Sequence, residues 1–348
     1  MTPRPPLPPL PPLTPVTPVT PTTPTTPTTP ATPTTPATAP VANLRQELAW
    51  NGPLGRHWAA HDRRFDAMLG DADAALFEAA AIAPGDRVLD IGCGAGATTR
   101  TAALLAAPGH AVGVDLSAPL VARARARTAE QGVRGATYEI GDAQTYPFPP
   151  GTYDLALSRG GVMFFEDPVA AFANVARALR EGGRLAFVCP RRTGPETEEG
   201  AVLARFARRL AEGTRDAPPA EPDPEARAAG TAMASLSEPY RIHAALHRTF
   251  HRIAIAPVDV TTRWGDSPAD AVDFLLSRTS HTPSTSHPSR TSHTPSTSHT
   301  SRTPGRGVSA RTRAALEATL RPYATASGVR MRAGVWVVTA LRRDDAGG

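Results

Sequence analysis

Val88-Leu89-Asp90-Ile91-Gly92-Cys93-Gly94-Ala95-Gly96-Ala97-Thr98-Thr99 is the stretch on which the fold turns. It follows a Pro84-Gly85-Asp86 turn, runs as a short apolar strand, and opens into a helical pattern. Glycines at 92, 94 and 96 remove Cβ atoms where a backbone must turn tightly and approach a ligand closely. The glycines alone leave two chemistries open, because Gly92-x-Gly94-x-x-Ala97 also satisfies the relaxed dinucleotide fingerprint.

Outward from this loop, short apolar runs alternate with helical stretches, which predicts βαβ units, a mostly parallel sheet and an α/β domain. The expected strands are Arg87 to Ile91, Ala111 to Asp115, Ala136 to Ile140, Tyr153 to Ser158 and Arg184 to Cys189. Turn residues separate them, among them Pro108-Gly109, Pro149-Pro150-Gly151 and Gly182-Gly183. Further on the pattern gives a helix over Pro239 to Thr249, a strand over Arg252 to Thr261 and a last strand over Gly334 to Arg342. Between those strands a helical region is split into Pro268 to Leu276 and Ala310 to Tyr323.

Asp90 separates the two chemistries. A dinucleotide brings its pyrophosphate to the helix N-terminus, where a carboxylate repels it, whereas the amino and sulfonium groups of S-adenosylmethionine are cationic. Asp115 closes the second strand about 20 residues beyond the glycines, where an acid can accept hydrogen bonds from ribose hydroxyls. Asp142, in Gly141-Asp142-Ala143 after the third strand, suits an adenine amino group. All three carboxylates fall on one edge of the sheet. A nicotinamide-dependent oxidoreductase is the alternative that Asp90 and Asp142 disfavour, and a cofactor-binding module without catalysis is a second alternative on the same fold.

Asp90-x-Gly92-x-Gly94-x-Gly96, Gly113-Val114-Asp115-Leu116-Ser117, Gly141-Asp142-Ala143, Tyr153-Asp154-Leu155-Ala156-Leu157-Ser158 and Leu179-Arg180-x-Gly182-Gly183-Arg184-Leu185 follow one another in order. Together they resemble the successive motifs of class I S-adenosylmethionine-dependent methyltransferases, similar to the bacterial ubiquinone/menaquinone type that act on small molecules. The resemblance implies a Rossmann-like three-layer α/β/α sandwich with a seven-stranded, mostly parallel sheet whose last strand is antiparallel. It implies S-adenosyl-L-methionine as cofactor, no metal, and a cofactor-contacting set of Asp90, Gly92, Cys93, Gly94, Gly96, Asp115, Leu116, Asp142, Ala143, Ser158 and Arg159. The acceptor is expected to be a small molecule.

The segment from Asn43 to Leu69 precedes this core and contains Trp50, Arg56, His57, Trp58 and His61. Methyl transfer needs water excluded, so the segment reads as a cap over the cofactor, with Gly52, Pro53 and Gly55 forming a turn at its start. A plain structural anchor would use the same aromatics. His57 and His61 are the candidate catalytic bases for an acceptor that must lose a proton. Arg159 follows the fourth strand and is expected to face the site, with Met163, Phe164 and Phe165 as wall or core. Cys93 reads as a small turn residue, having no basic neighbour to activate it.

Two low-complexity blocks flank or interrupt this domain, which is expected to span 43–348. Residues 1–42 are a Pro/Thr-rich tail that cannot bury apolar surface, and 278–306 carry a twelve-residue repeat in which His281, His287, His293 and His299 recur every six residues. Both are expected to be disordered, the first doubling as a polyproline ligand only if an aromatic groove receives it. The net charge is +5. Arg4 in the tail and Arg278, Arg290, Arg302 and Arg306 around the repeat account for all of it, so no basic face for nucleic acid is indicated. Two cysteines without C-x-x-C spacing, and no long uncharged apolar run, predict a cytoplasmic protein without a disulfide framework or membrane span.

Overall fold

The computed structural model describes residues 41–191, 194–213, 231–279 and 308–344. Nearly all of the Pro/Thr tail and of the histidine repeat, and so the expectations placed on them, lie outside the described residues. The sheet consists of β1 (Arg87–Ile91), β2 (His110–Asp115), β3 (Ala136–Ile140), β4 (Tyr153–Arg159), β5 (Leu179–Pro190), β6 (Phe250–Gly265), β7 (Ala324–Thr325) and β8 (Gly328–Arg342). Their order is β3-β2-β1-β4-β5-β8-β6, and the two-residue β7 pairs only with β8. Strands β1 to β5 are parallel, while β8 runs antiparallel to both neighbours. Apart from β7, this is the expected seven-stranded α/β sheet with an antiparallel last strand.

Strand β1 lies between β2 and β4 and is covered on both faces, so its apolar run is continuous: Val88, Leu89 and Ile91 are all fully buried. Asp90 is the exception in that run. The helices on either side of the sheet begin where their caps dictate. Helix α5 (Ala97–Ala106) starts after Gly96, which has φ +77°, and α6 (Ala118–Glu130) after Ser117, whose hydroxyl accepts from the Leu120 amide. Asp167 caps α7 (Pro168–Ala178) in the same way. Four N-terminal helices, α1 (Leu44–Asn51), α2 (Pro53–Ala60), α3 (Asp62–Met68) and α4 (Gly70–Ala80), precede β1. Beyond β5 come α8 (Glu198–Gly213), α9 (Pro239–Leu246), α10 (Pro268–Thr279) and α11 (Ala310–Leu320).

Some boundaries differ from the sequence pattern for local reasons. Gly182-Gly183 sits inside β5 instead of ending a loop before it, because Leu179 pairs with Tyr153 and the register then shifts before Leu155 meets Arg184. Strand β8 begins at Gly328, where a tight return from β7 supplies extra pairing with β6. A third apolar cluster, apart from the two sheet faces, joins Phe65 and Met68 to Phe206, Trp264, Phe274, Leu316 and Met331. It ties the N-terminal helices to α8, α10, α11 and the long β6–β8 pair. The chain leaves β1 for β2 on one side and reaches β4 on the other, so the carboxyl ends of β1 and β4 flank the switch point at which ligands bind in open α/β sheets.

Candidate active site

A cavity of about 360 Å³ opens at that switch point and extends toward the β6–β8 ribbon. Gly92, Cys93, Gly94, Asp115, Leu116, Asp142, Ala143 and Arg159 all line it. Gly92 has φ +67°, and a Cβ on it would stand 2.7 Å from the Gly161 Cα, so the β1 loop and the β4 loop pack backbone on backbone. Gly94 has φ +53° and directs its amide at Asp115, 2.8 Å from Oδ2. The Ser117 amide donates to Oδ1 of the same carboxylate, also at 2.8 Å. Burial raises the pKa of Asp115, and these two amides oppose the rise. A carboxylate oxygen accepts more than one hydrogen bond, so Asp115 is fixed in orientation with acceptor capacity left for hydroxyls.

Asp142 is 4 % exposed and its oxygens are already engaged. Oδ2 accepts from the amides of Ala42 and Asn43, and Oδ1 from Asn43 Nδ2 and the Gln144 amide. Here Asp142 anchors the start of the N-terminal segment. Arg159 is likewise an anchor: its guanidinium bridges Asp66 of α3 at 2.9 Å and Asp73 of α4 at 2.8 Å. Burial raises the pKa of Asp73, and Arg159 works against that.

Three residues of the expected cofactor set do not line the cavity. Asp90 is fully buried, with Oδ2 accepting 2.6 Å hydrogen bonds from both Thr98 and Thr99. Its Oδ1 is buried and accepts none from the described residues, and burial lifts its pKa to about 6 against the pull of the two hydroxyls. Asp90 therefore braces the β1–α5 turn from beneath. Ser158 clasps the two loops, donating to the Ile91 carbonyl at 2.7 Å and accepting from the Gly161 amide. Gly96 packs against Tyr138, whose hydroxyl would lie 2.5 Å from an added Cβ.

His57 and His61 do not line the cavity either. Their rings lie 4.3 Å apart at the α2–α3 junction, near Phe274 of α10, and His61 Nδ1 lies 2.9 Å from the His57 carbonyl. At the same junction Trp58 stacks on Phe65 with ring centroids 3.6 Å apart, and His57 meets the edge of Phe65 at 6.0 Å. Neither is positioned as the base expected from the sequence.

The cap segment does border the cavity through Asn43, Gln46, Trp50, Trp58, Asp62 and Asp66. Trp50 meets Trp58 and Phe164 edge to face at 5.5 and 5.4 Å. It is also tied to the α6 start, where Ser117 Oγ donates to the Trp50 carbonyl and Asn51 Nδ2 to the Leu116 carbonyl. Gly55 lies within α2, where a Cβ would strike the Trp50 carbonyl, so it serves close packing and the turn belongs to Gly52-Pro53.

The far half of the cavity was not marked by any motif. It is walled by Cys189, Leu203, Met233, Val260, Trp264 and Val335, with Glu199, Thr262 and Arg278 as polar members. A pairing of Thr262-x-Trp264 on one face of β6 was the available signal, since alternate strand residues share a face. Both cavity cysteines are buried and their thiols are held up in pKa, Cys93 by burial and then by Asp115 and Asp90, Cys189 by burial to about 12.

Residues 89–187 match the family model described as a methyltransferase domain. Aklanonic acid methyltransferase DauC of Streptomyces sp. (strain C5) is 39 % identical over 107 residues, 30 % of this chain and 49 % of that protein. Nocamycin O-methyltransferase of Saccharothrix syringae is 36 % identical over 108 residues, 31 % of this chain and 39 % of that protein. The chain thus spans half or less of these curated relatives. Among solved structures, YcgJ of Bacillus subtilis superposes with TM-score 0.42 at 17 % identity, covering 78 % of this chain and 98 % of that one. The dinucleotide-binding order 3-2-1-4-5-6 has no antiparallel strand inserted beside β5, as β8 is here. Residues 89–187 of this chain match a methyltransferase domain, and the motifs within them resemble those of the class I, S-adenosylmethionine-dependent enzymes.

Proposed function

We propose that this chain transfers a methyl group from S-adenosylmethionine to a small-molecule acceptor. The observation that carries the reading is Asp115, held at the carboxyl end of β2 by the Gly94 and Ser117 amides and open to the cavity beside the glycine turn. That donor set fits the cofactor: Asp115 would take the ribose hydroxyls, the backbone of Gly92 to Gly94 would cradle the amino acid portion, and Leu116 and Ala143 would flank the adenine. Asp62 and Asp66 also border the cavity, each neutralised by arginine, Asp62 by Arg123 and Arg127 and Asp66 by Arg159. The names of the two relatives, an aklanonic acid methyltransferase and a nocamycin O-methyltransferase, support a small-molecule acceptor.

The cofactor supplies a methyl group on a good leaving group, so the protein's part is alignment and exclusion of water. Alignment of this kind is worth ~7–11 kcal/mol in favourable cases. Trp50, Trp58 and Phe164 would cover the reacting centre, with Arg159 and Asp142 fastening the covering helices to β4 and β3. Incubation with methyl-labelled S-adenosylmethionine and a bacterial small-molecule extract tests the reading. Label in low-mass products is expected, and label confined to macromolecules would overturn the small-molecule acceptor.

A further inference from the structure

On the methyltransferase reading, a residue of the far half of the cavity has to receive the acceptor. We infer that Glu199 is that residue: its Oε2 binds an un-ionised acidic hydroxyl, a phenol or enol, carried on an apolar body, and takes its proton. Glu199 stands in the first turn of α8, next to Glu198, and the two acids are put to opposite uses. Glu198 accepts from the backbone and guanidinium of Arg332 at the surface. Glu199 lines the cavity, and its Oε1 accepts from Thr262 Oγ1 at 2.5 Å and Trp264 Nε1 at 3.0 Å. The indole also donates to Thr262 Oγ1 at 2.9 Å, which closes a three-membered network on one oxygen. Thr262 and Trp264 are 7 % and 3 % exposed, so the network is rigid.

Oε2 accepts no hydrogen bond from the described residues, and it is not among the buried unpartnered atoms. One oxygen is therefore locked by donors and the other presented, as a preoriented acceptor requires. The surroundings select the ligand. Leu203, Met233, Val260 and Val335 offer an apolar wall, so the body of the acceptor is apolar. Arg278 lies over the Trp264 ring, 5.5 Å from its centroid, where its charge also acts on the Glu199 carboxylate, and it disfavours a cationic acceptor on this side. An anionic acceptor would face the Glu199 carboxylate itself. A neutral O–H escapes both penalties. In the proton step the acceptor's O–H bond breaks, Oε2 gains the proton, and the acceptor oxygen keeps the electron pair as its nucleophile.

The test titrates 4-nitrophenol, with 4-nitrobenzylamine in parallel, into wild type, E199Q and E198Q, each saturated with S-adenosylhomocysteine whose own binding heat is recorded first. Glutamine keeps an oxygen for Thr262 and Trp264 but turns a donor toward the cavity. Wild type and E198Q are expected to bind the neutral phenol in preference to the phenolate. E199Q should bind the neutral phenol about 10- to 100-fold more weakly, the usual consequence of losing a hydrogen bond to a charged group. Its preference should shift toward the phenolate, at unchanged S-adenosylhomocysteine affinity. Absent phenol binding in wild type, equal phenol affinity in E199Q, or preference for the amine would overturn the role of Glu199. Absent S-adenosylhomocysteine binding would instead sink the methyltransferase reading. If E199Q does not fold, E199D serves: it shortens the reach of Oε2 and should give the same loss for phenol without the shift toward phenolate.

Discussion

Asn43 holds Asp142 from 99 residues away, with its amide 2.8 Å from Oδ2 and its side-chain Nδ2 2.6 Å from Oδ1. Its own Oδ1 accepts from the Glu166 amide after β4, so one buried asparagine fastens the N-terminal segment to two loops of the sheet edge. Asn43→Ala leaves Asp142 short of a donor and the Glu166 amide short of an acceptor, and should cost roughly 1–3 kcal/mol in urea unfolding at pH 7. Asn43→Asp places a second carboxylate against the first and should cost more than the alanine. Equal stabilities for wild type and Asn43→Asp would contradict this anchoring.

Asp90 predicts a pH dependence. Its folded pKa of about 6 lies above the ordinary 3.8, so from about pH 4 to 6 the folded protein retains a proton that the unfolded chain has released. The stability it contributes is present below that window and is lost as pH rises through it, by about 3 kcal/mol in all. Asp90→Asn does not titrate and keeps an oxygen for Thr98 and Thr99. The stability difference between wild type and Asp90→Asn, measured by urea unfolding at pH 4 and pH 7, should move by about 2 kcal/mol of that total in favour of the variant. No change between the two pH values would refute the assignment.

The two cavity cysteines should be chemically silent. Both thiols are buried and held in the protonated form, and the thiolate is the nucleophile. Iodoacetamide at pH 8 is expected to leave the folded protein unmodified by mass spectrometry and to modify both sites after denaturation. Rapid labelling of Cys93 in the native protein would show an environment different from the one described.

Arg159 should matter more for the cap than for the sheet. Its side chain is 13 % exposed and is shared between Asp66 and Asp73. Arg159→Ala leaves two neighbouring carboxylates facing each other and is expected to cost roughly 1–3 kcal/mol, discounted from a fully buried pair for the partial exposure of the acids. Adding Asp73→Asn should recover part of that loss. A double-mutant cycle with strictly additive costs would rule out the bridge.

The sheet was legible because each of its signals is local. Turn residues bracket every parallel strand, and β1 reads as a buried run because both its faces are covered. Asp115 was legible for the same reason, being fixed by its place at a strand end. Asp90 was expected to face the cofactor, whereas its partners Thr98 and Thr99, eight and nine residues further along the chain, take the carboxylate inward. The chain could equally have left it to a ligand. The orientation of His57 and His61 was not legible because the direction of a ring depends on packing against Phe274, more than 200 residues away. The Glu199 end of the cavity carries no motif, since α8, β6 and β8 meet only through the tertiary fold.

The central claim is that the Asp115 edge of this cavity binds S-adenosylmethionine, and calorimetric titration of S-adenosylhomocysteine into wild type and Asp115→Ala tests it most directly. Saturable binding to wild type is expected, weakened by roughly 1–3 kcal/mol in the variant through loss of hydrogen bonds to a charged group. Wild type giving no heat with S-adenosylhomocysteine while binding NAD tightly would contradict it.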